Sequence, residues 1–542
     1  MFKTAPGRLC AAMISAGFLL LAAGCSKETP QAPAAAQSGA GHEGAVLRYA
    51  STKDIRNINP HLYLGEMAAQ AMVFESLTRN TPDGVKPWLA SSWDISADGR
   101  TYTFHLREGV RFSDGTPFDA TAVDMNVRAV LDNRSRHAWL DLVNEVESTR
   151  VVDARTWELK LKHPYFPTLI ELGVTRPLRF ISPACMKEGK TKDGVTCLAG
   201  TGPWKLVQHE RNQFARFERN PDYWGEKPSL AAVEWRVMPD LQTSLLALQK
   251  GEIDLIFGAD GDQITSDAFT GLQKSGTLKV KLSEPTGSRA VLINSGSPVT
   301  SDVRVREAIQ FAVDREAIVK NVLNGTEAPA GTLMARNVPG CDIELTVRGF
   351  DPQKARRLLD EAGWLTGKNG VREKDGRPLE LSFYFNSQNG QEKNIAQAIQ
   401  GDLARVGITL KVIGEEKQAF LDRQRTGKFD LQYSLSWGAP YDPQSYFASW
   451  RFPAHGDYQA QRGLSDKEQI DASITALMTQ ADEGKQLEMI HRLLRRIHES
   501  AVYLPLSYSR TKAVYSPVVE NVEFAVSQYE IPFEKMRRRP AH

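Results

Sequence analysis

A short cationic and aromatic cluster is the first candidate for binding chemistry in this chain. It consists of Arg134, Arg136, His137 and Trp139, and it ends a stretch that begins at Trp88. The guanidinium of arginine is a planar fork of N–H donors that matches a carboxylate in two-point contact. An aromatic ring beside it can wall a binding site. The cluster is therefore a candidate ligand contact.

The sequence lacks the motifs of common enzyme classes. It has no Gly-x-Ser-x-Gly, no Walker-type Gly-x-x-x-x-Gly-Lys-Ser/Thr and no His-Glu-x-x-His. Neighbouring acidic residues such as Glu252, Asp254 and Asp260 stand in ordinary strand and turn contexts. We therefore expect a binding protein and not an enzyme.

Turn and strand signals predict the scaffold in front of the cluster. Asp98-Gly99 is a turn dipeptide, after which Tyr102, Phe104 and Leu106 alternate with polar residues. Alternation with a period of two is typical of a half-buried strand. This half of the stretch is predicted to be structural.

A helix is predicted to lead from this strand to the cluster. Asp119 is the predicted N-cap, and the helix begins near Thr121. We expect the helix to end in the cluster, with His137 pointing away from its neighbour Arg136. On this ground His137 is left out of the candidate ligand contacts.

Length and charge limit the class of protein. A chain of 542 residues is too long for one core, so two large lobes or two to four domains are expected. The net charge of +2 is nearly balanced and gives no reason to expect nucleic-acid binding.

The first 25 residues are predicted to be a targeting segment. Lys3 and Arg8 supply its positive end, and Ala11–Ala23 is an apolar core too short to span a bilayer. The small residues before Cys25 resemble a bacterial lipobox, in which the cysteine is lipidated. A plain secretory signal cleaved nearby is the alternative. Residues 26–45 are rich in Ala, Gly, Pro, Gln and Ser and are predicted to be a flexible tether.

Three cysteines remain in the body of the chain. An oxidising compartment permits a disulfide between Cys185 and Cys197, which would contribute roughly 3 kcal/mol in the chain-entropy model. Cys341 is predicted to be a buried thiol. The sequence contains no Cys-x-x-Cys, so it offers no zinc site of that kind.

The predicted secondary structure of the rest of the chain changes from mainly short strands to longer helices. Residues 46–285 read as short strands with a few helices, one of them at 67–77. Apolar positions at helical spacing run through 305–323. A strand–helix–strand pattern over 379–413 predicts an α/β lobe with a partly parallel sheet. A strand at 502–508 is predicted to return to the first lobe.

The order of several motifs resembles the bacterial extracellular solute-binding proteins of family 5, the peptide- and nickel-binding components of ABC importers. The resemblance spans about residues 46 to 535, and its motifs are Trp88–Asp124, GTGPW (200–204), NPDYWGEKP (220–228), GEIDLI (251–256) and the helices VREAIQFAVDR (305–315) and FDPQKARRLLDEAGW (350–364). It implies an α/β, bilobed Venus-flytrap fold of the periplasmic-binding-protein type with an enlarged lobe I. The implied boundaries are 46–285 and 509–542 for lobe I and 286–508 for lobe II.

Within the family, the chain is more similar to the nickel-binding members. The motifs that carry this similarity are NPHLY (59–63), HAWL (137–140), RPLRFISP (176–183), WGAPYDP (437–443) and HGDYQAQRGL (455–464). In the peptide binders, an aspartate three residues after the tryptophan equivalent to Trp437 typically holds the peptide amine. Here that position is Pro440, which argues against a generic peptide ligand.

The resemblance also implies a set of site residues. Arg136 and Arg176 would hold an anionic chelator, and His455 would be the metal ligand. The remaining contacts implied by the family are Trp139, Trp437, Tyr63, Met67 and Tyr441. Two departures are visible: the segment from Tyr63 to Met67 is one residue shorter than in the nickel proteins, and Tyr529 stands where that subgroup has a small hydroxyl residue.

The function implied by the resemblance is capture of a nickel(II)–chelator complex and its delivery to an ABC permease with its ATPase subunits. The protein would be a periplasmic monomer attached to a membrane through a lipid anchor. A carrier of another metal–opine or metallophore complex, or of small peptides, is the first alternative. A sensor or chaperone-like surface lipoprotein is the second.

Overall fold

The computed structural model describes residues 44–258 and 263–540. Among these residues no helix is both long enough and apolar enough to cross a membrane. The helices are α1 (Met67–Val73), α2 (Ala120–Leu131), α3 (Asp141–Glu145), α4 (Thr168–Glu171), α5 (Leu241–Gln249), α6 (Ser266–Ser275), α7 (Val303–Ala312), α8 (Arg315–Asn321), α9 (Pro352–Glu361), α10 (Gly390–Ala404), α11 (Lys417–Thr426), α12 (Gln444–Ser449), α13 (Gly456–Gln461), α14 (Lys467–Met478) and α15 (Glu483–Ser500), with 3₁₀ turns at Arg134–His137, Pro183–Cys185 and Phe533–Lys535.

The strands are β1 (Val46–Ser51), β2 (Thr78–Thr81), β3 (Gly84–Pro87), β4 (Ala90–Ile95), β5 (Thr101–Leu106), β6 (Val146–Asp153), β7 (Thr156–Leu161), β8 (Met186–Lys187), β9 (Lys190–Val195), β10 (Trp204–Glu210), β11 (Phe214–Arg219), β12 (Ala232–Val237), β13 (Leu255–Gly258), β14 (Lys279–Ile293), β15 (Ala328–Pro329), β16 (Leu365–Thr366), β17 (Arg372–Lys374), β18 (Arg377–Pro378), β19 (Glu380–Asn386), β20 (Thr409–Glu415), β21 (Leu431–Leu435), β22 (Tyr503–Tyr515), β23 (Val519–Glu520) and β24 (Arg537–Arg538).

One large mixed sheet runs through the molecule. Its strand order is β10-β11-β12-β1-β13-β22-β14-β21-β19-β20, and β15 also pairs with β22. β1 is parallel to β12 and β13, and β19 is parallel to β20 and β21. The antiparallel pair β14–β22 lies between these two parallel groups. The mixed sheet with its covering helices confirms the predicted α/β class.

The predicted crossing points between lobes, near residues 285 and 508, lie on this central pair. Pro285 is opposite Arg510 and Ser288 is opposite Tyr508, so the two crossings are adjacent in space. The register shifts on both sides of Pro285. Bulges of this kind bend a strand and break its regular pairing. The lobe boundaries themselves remain a prediction.

A smaller antiparallel sheet of order β4-β5-β7-β6 supports the stretch before the cationic cluster. The predicted strand is confirmed as β5, on which Tyr102, Phe104 and Leu106 are all buried. Helix α2 packs on β6 and β7. Its predicted cap is also confirmed, because an Asp119 carboxylate oxygen accepts a hydrogen bond of 2.8 Å from the Ala122 amide.

The end of α2 differs from the prediction. The helix stops at Leu131, and Arg134–His137 forms a separate 3₁₀ turn. A 3₁₀ helix has three residues per turn, so its side chains point in directions different from those expected for an α-helix. The orientation expected for His137 was based on the wrong helix type.

Two other predicted helices are divided or shortened by tertiary contacts. The helix expected at 67–77 ends at Val73, because Phe74 is extended and its carbonyl accepts a hydrogen bond from Arg179. The periodic run at 305–323 is two helices, α7 and α8. Asp314 lies at the break and caps α8 by accepting from the Ala317 amide.

The predicted strand–helix–strand unit is confirmed in the second half of the chain. β19, α10 and β20 follow one another, and the two strands are parallel neighbours. The apolar residues of this unit, such as Phe383 and Ile399, are fully buried. Burying each such side chain stabilises the fold by about 1.5–3 kcal/mol.

Cys185 and Cys197 are joined by a disulfide. Cys341 is a free, buried thiol, and burial raises its pKa. Cys25, the targeting segment 1–25 and nearly all of the tether 26–45 lie outside the described residues.

We predict that Asp119→Ala lowers the free energy of unfolding by about 1 kcal/mol, because the Ala122 amide loses its acceptor at the start of α2. Urea denaturation followed by circular dichroism measures the change. Asp119→Asn keeps an acceptor at this position and is the matched control. Equal destabilisation by the two variants would contradict a capping role.

Candidate functional site

Tyr63 lies at the centre of the predicted site residues. The guanidinium carbon of Arg136 lies 5.3 Å from the centroid of its ring, and that of Arg176 lies 5.1 Å from it. Both distances are typical of cation–π contacts. One aromatic ring therefore brings together two cations that are 40 positions apart in the sequence.

The hydroxyl of Tyr63 is bonded to the turn that carries Arg136. The indole N–H of Trp139 donates to it over 2.6 Å, and Nδ1 of His137 lies 2.7 Å from it. His137 is fully buried. The structure therefore corrects the expectation that this histidine points away from the site.

Burial controls the ionisation of both partners. It raises the pKa of Tyr63, and the nearby guanidiniums of Arg176 and Arg136 only partly oppose that effect. Burial, with the charge of Arg136, lowers the pKa of His137 to about 4. At neutral pH the phenol is therefore protonated and the imidazole is neutral.

Aromatic side chains from distant segments form a wall next to Tyr63. The rings of Trp139 and Trp437 meet edge to face at 5.4 Å, and Tyr441 packs against both at 6.1–6.3 Å. Tyr529 contacts Tyr441 at 6.3 Å. Edge-to-face packing fixes the orientation of these rings.

Arg176 is a half-buried cation without a carboxylate at ion-pair distance among the described residues. One of its N–H groups donates to the carbonyl of Gly65 over 3.0 Å. Burial lowers the pKa of Arg176. The nearby Arg179 differs, because it forms an ion pair with Glu530 and donates to the carbonyl of Phe74.

Arg136 is exposed, and its side chain likewise forms no ion pair with any described carboxylate. The two predicted arginines thus direct positive charge to one place without an ion-pair partner among the described residues, and the charge of Glu66 acts on Arg176 only from beyond ion-pair distance. Buried or partly buried charges are normally paired, and an unpaired one has a high desolvation cost. The arrangement favours an anionic ligand.

His455 precedes α13, and its ring lies 5.7 Å from that of Trp437. Its imidazole forms no hydrogen bond within the described part of the chain. Burial lowers the pKa of His455, although the charge of Asp457 opposes the shift. A neutral imidazole is the form that can donate a lone pair to a metal ion.

The loop that carries Trp437 and Tyr441 contains a buried carboxylate. Asp442 accepts from the Ser436 hydroxyl at 2.5 Å and from the Gly438 amide at 3.0 Å. Burial raises the pKa of Asp442 to about 7. Because its bonds lie within the loop, this carboxylate holds the loop together.

Met67 is the first residue of α1 and is partly exposed. It stands two positions after Gly65, whose carbonyl accepts from Arg176.

Three residues of the site region were not predicted from the sequence: His137 was excluded, and Glu171 and Asp442 were given no role. His137 lies two positions before Trp139, a predicted contact, and this proximity could have indicated it. The burial of the Glu171 and Asp442 carboxyl groups depends on contacts between distant segments.

Contacts join the two predicted lobes next to this site. The Ser445 hydroxyl donates to the Glu171 carboxylate over 2.9 Å, and Arg451 forms an ion pair with Asp141. Glu171 also accepts from the Leu142 amide at 3.1 Å. Burial, reinforced by the charge of Asp141, raises the pKa of Glu171 to about 8.

The family model for bacterial extracellular solute-binding proteins, family 5 Middle, matches residues 84–458. The chain belongs to this family. It has the family's bilobed periplasmic-binding-protein fold of the peptide- and nickel-binding type.

Individual relatives cover most of the chain. It is 41% identical over 483 residues to the nickel-binding periplasmic protein of Escherichia coli K12, covering 89% of this chain and 92% of that one. The crystal structure of NikA from Brucella suis in complex with Fe(III)-EDTA is similar with a TM-score of 0.89 and 45% identity, covering 91% of this chain and all of that one. The dipeptide-binding protein of E. coli K12 is 26% identical over 464 residues, 81% of this chain and 83% of that one.

We predict a pH dependence of stability that arises from Glu171. Its pKa of about 8 in the folded protein exceeds the ordinary value of 4.5, so the folded state binds this proton more tightly than the unfolded chain does. The contribution of Glu171 to the free energy of unfolding is complete below its ordinary pKa. It is lost as the pH rises through the pKa that Glu171 has in the folded protein. Melting temperatures at about pH 5 and about pH 8.5 measure it.

The matched variant is Glu171→Gln, which does not titrate. Relative to the wild-type protein, it should gain stability as the pH rises between these two values. A constant difference between the two proteins at both pH values would show that Glu171 is already ionised in the folded protein.

Proposed function

We propose that the chain is the substrate-binding component of an ABC importer and that its cargo is a nickel(II)–chelator complex. The observation that carries the proposal is the pair of guanidiniums, Arg136 and Arg176, which meet at Tyr63 without a carboxylate partner in the described residues. An anionic chelator would supply the missing charge.

The two arginines would bind the carboxylates of the chelator. Each offers parallel N–H donors, and charge-assisted bonds of this kind are roughly twice as strong as neutral ones. Trp139, Trp437 and Tyr441 would cover the flat faces of the complex. Met67 would complete this surface from the start of α1.

His455 would be the metal ligand contributed by the protein. Imidazole suits Ni²⁺, and the lowered pKa of His455 favours the neutral ring. Because the chelator fills the other coordination positions, one protein ligand is sufficient. The complex would then bind through charge at the arginines and through coordination at the histidine.

The relatives support a metal chelate as cargo. The nickel-binding periplasmic protein of E. coli is 41% identical over most of the chain. The B. suis NikA structure, at 45% identity, was solved with Fe(III)-EDTA, a polycarboxylate chelate. The metal and the chelator carried by this chain are our proposal.

A small peptide is the rival cargo, supported by the similarity to the E. coli dipeptide-binding protein. Its amine would need a carboxylate near Trp437, and position 440 is proline. A different metal–opine or metallophore complex would use the same two arginines. Native mass spectrometry of the protein as isolated separates these cargoes by mass.

Transport would proceed by closure of the lobes around the complex, a shift of population that the permease reads. We propose 46–285 with 509–542 as lobe I and 286–508 as lobe II.

We also propose a periplasmic monomer held at a membrane by lipid on Cys25. Labelling with a radioactive fatty acid, compared with Cys25→Ser, tests the anchor.

The first test of the cargo is its dependence on chelator. We predict tight binding of nickel(II) only when a chelator such as L-histidine is supplied, because bare Ni²⁺ would be repelled by two guanidiniums. Isothermal titration calorimetry with nickel chloride, with and without L-histidine, measures this. Equal affinity in the two titrations would refute the chelate proposal.

The second test separates the roles of charge and coordination. Arg176→Ala should abolish measurable binding of the nickel–histidine complex, whereas His455→Ala should weaken it by about tenfold. Arg155→Ala, an exposed arginine paired with Glu108, is the control and should bind normally. Normal binding by Arg176→Ala would show that the site is assigned wrongly.

A further inference from the structure

A partly buried chain of hydrogen bonds links the two aromatic residues of the site to His137. The hydroxyl of Tyr63 lies 2.6 Å from the indole nitrogen of Trp139 and 2.7 Å from Nδ1 of His137. Each of the three residues comes from the site region, yet His137 is neither part of the proposed binding chemistry nor one of the site residues that the family resemblance implies.

The direction of the chain follows from the chemistry of its groups. An indole N–H only donates, so the oxygen of Tyr63 must accept from Trp139. The proton of the phenol is then free to be donated, and Nδ1 of His137 is the acceptor within reach. With Nδ1 protonated instead, the phenol proton would have no acceptor among the described residues, so the geometry favours an unprotonated Nδ1 and a neutral ring that carries its proton on Nε2.

The second nitrogen of the imidazole, Nε2, makes no competing hydrogen bond within the described part of the chain, which is consistent with a role of His137 directed at Tyr63. Nε2 is buried and has no hydrogen-bond partner among the described residues. Leaving a buried donor without a partner is unfavourable. The single hydrogen bond of this ring is thus made to the phenol.

Fixing the phenol fixes more than one side chain. The ring of Tyr63 lies 5.3 Å from the guanidinium of Arg136 and 5.1 Å from that of Arg176. Rotation of the ring about its long axis or away from Trp139 would remove the surface on which both cations rest. The orientation of one tyrosine therefore sets the spacing of the two charges.

We propose that His137 is a positioning residue for ligand binding: its Nδ1 accepts the Tyr63 hydroxyl and thereby holds Tyr63, Trp139 and the two arginines in their binding arrangement. His137 does not touch the ligand. This inference rests on the proposed function for its effect on affinity, but the tautomer and the hydrogen bond do not depend on which cargo is bound.

The affinity test is a double-mutant cycle with the nickel–L-histidine complex as the probe. His137→Leu and Tyr63→Phe should each weaken binding about tenfold, since each removes one side of the same hydrogen bond. The double variant should be no weaker than the weaker single variant. A further tenfold loss in the double variant would overturn the proposal, and so would unchanged affinity in His137→Leu.

A conservative variant separates positioning from simple packing. The side-chain carbonyl of His137→Asn can take the place of Nδ1 as acceptor, so this variant should stay within about threefold of wild type. If His137 served only to fill space, His137→Asn would be as damaging as His137→Leu or more so. That result would also overturn the proposal.

A measurement without ligand separates this inference from the proposed function. In ¹⁵N NMR spectra of the intact protein near neutral pH, the His137 ring should carry its proton on Nε2, and Tyr63→Phe should remove that preference. The signal is assigned by its loss in His137→Asn. A proton on Nδ1 would refute the inference even if chelate binds. Failure of the wild-type protein to bind any nickel chelate, with the Nε2 tautomer present, would refute the proposed function alone.

Discussion

The half-buried guanidinium of Arg176 imposes the constraint around which the site is built. Removing a cation from water is costly unless an anion or several hydrogen bonds replace the solvent. Arg176 has a carbonyl at 3.0 Å and the face of Tyr63, but none of the described carboxylates lies at ion-pair distance from it. Three positions along the chain, Arg179 is paired with Glu530. The contrast separates a cation that is ion-paired within the fold from one that is not.

The segments around Arg176 come from far apart in the chain and are held by different parts of the scaffold. Tyr63 precedes α1, Trp139 follows the 3₁₀ turn, and Trp437 lies in the loop after β21. β21 pairs with β14, which pairs with β22 at the centre of the large sheet. The irregular register around Pro285 lies on this same pair. The strands that support the site are therefore also the strands on which the predicted lobe crossings fall.

The elements of the fold that were predicted correctly are those whose position depends on residues close together in the sequence. Alternation identified β5, and Asp119 identified the start of α2, because both depend on neighbours within a few residues. Helix ends were less predictable. The end of α1 depends on Arg179, which is bonded to Phe74 from 105 positions away.

The site residues illustrate the same division. No periodicity connects Arg136 with Arg176, so only the family resemblance indicated that they belong together. His137 was misjudged because the 3₁₀ turn changes its projection. The raised pKa values of Glu171 and Asp442 arise from burial between distant segments, which composition and spacing do not reveal.

The distribution of carboxylates near the aromatic wall bears on the kind of cargo. Asp442 is turned into its own loop, Asp457 accepts from Tyr446 and Tyr503, and Glu530 is paired with Arg179. Each of these groups is engaged within the fold, so a peptide amine would find no ready counter-charge there. A bare divalent cation would meet two guanidiniums and one neutral imidazole, and the Coulomb term opposes it. A metal ion enclosed in carboxylates would remove both objections, because its outer surface would be negative where the protein is positive and His455 is the metal ligand that we propose.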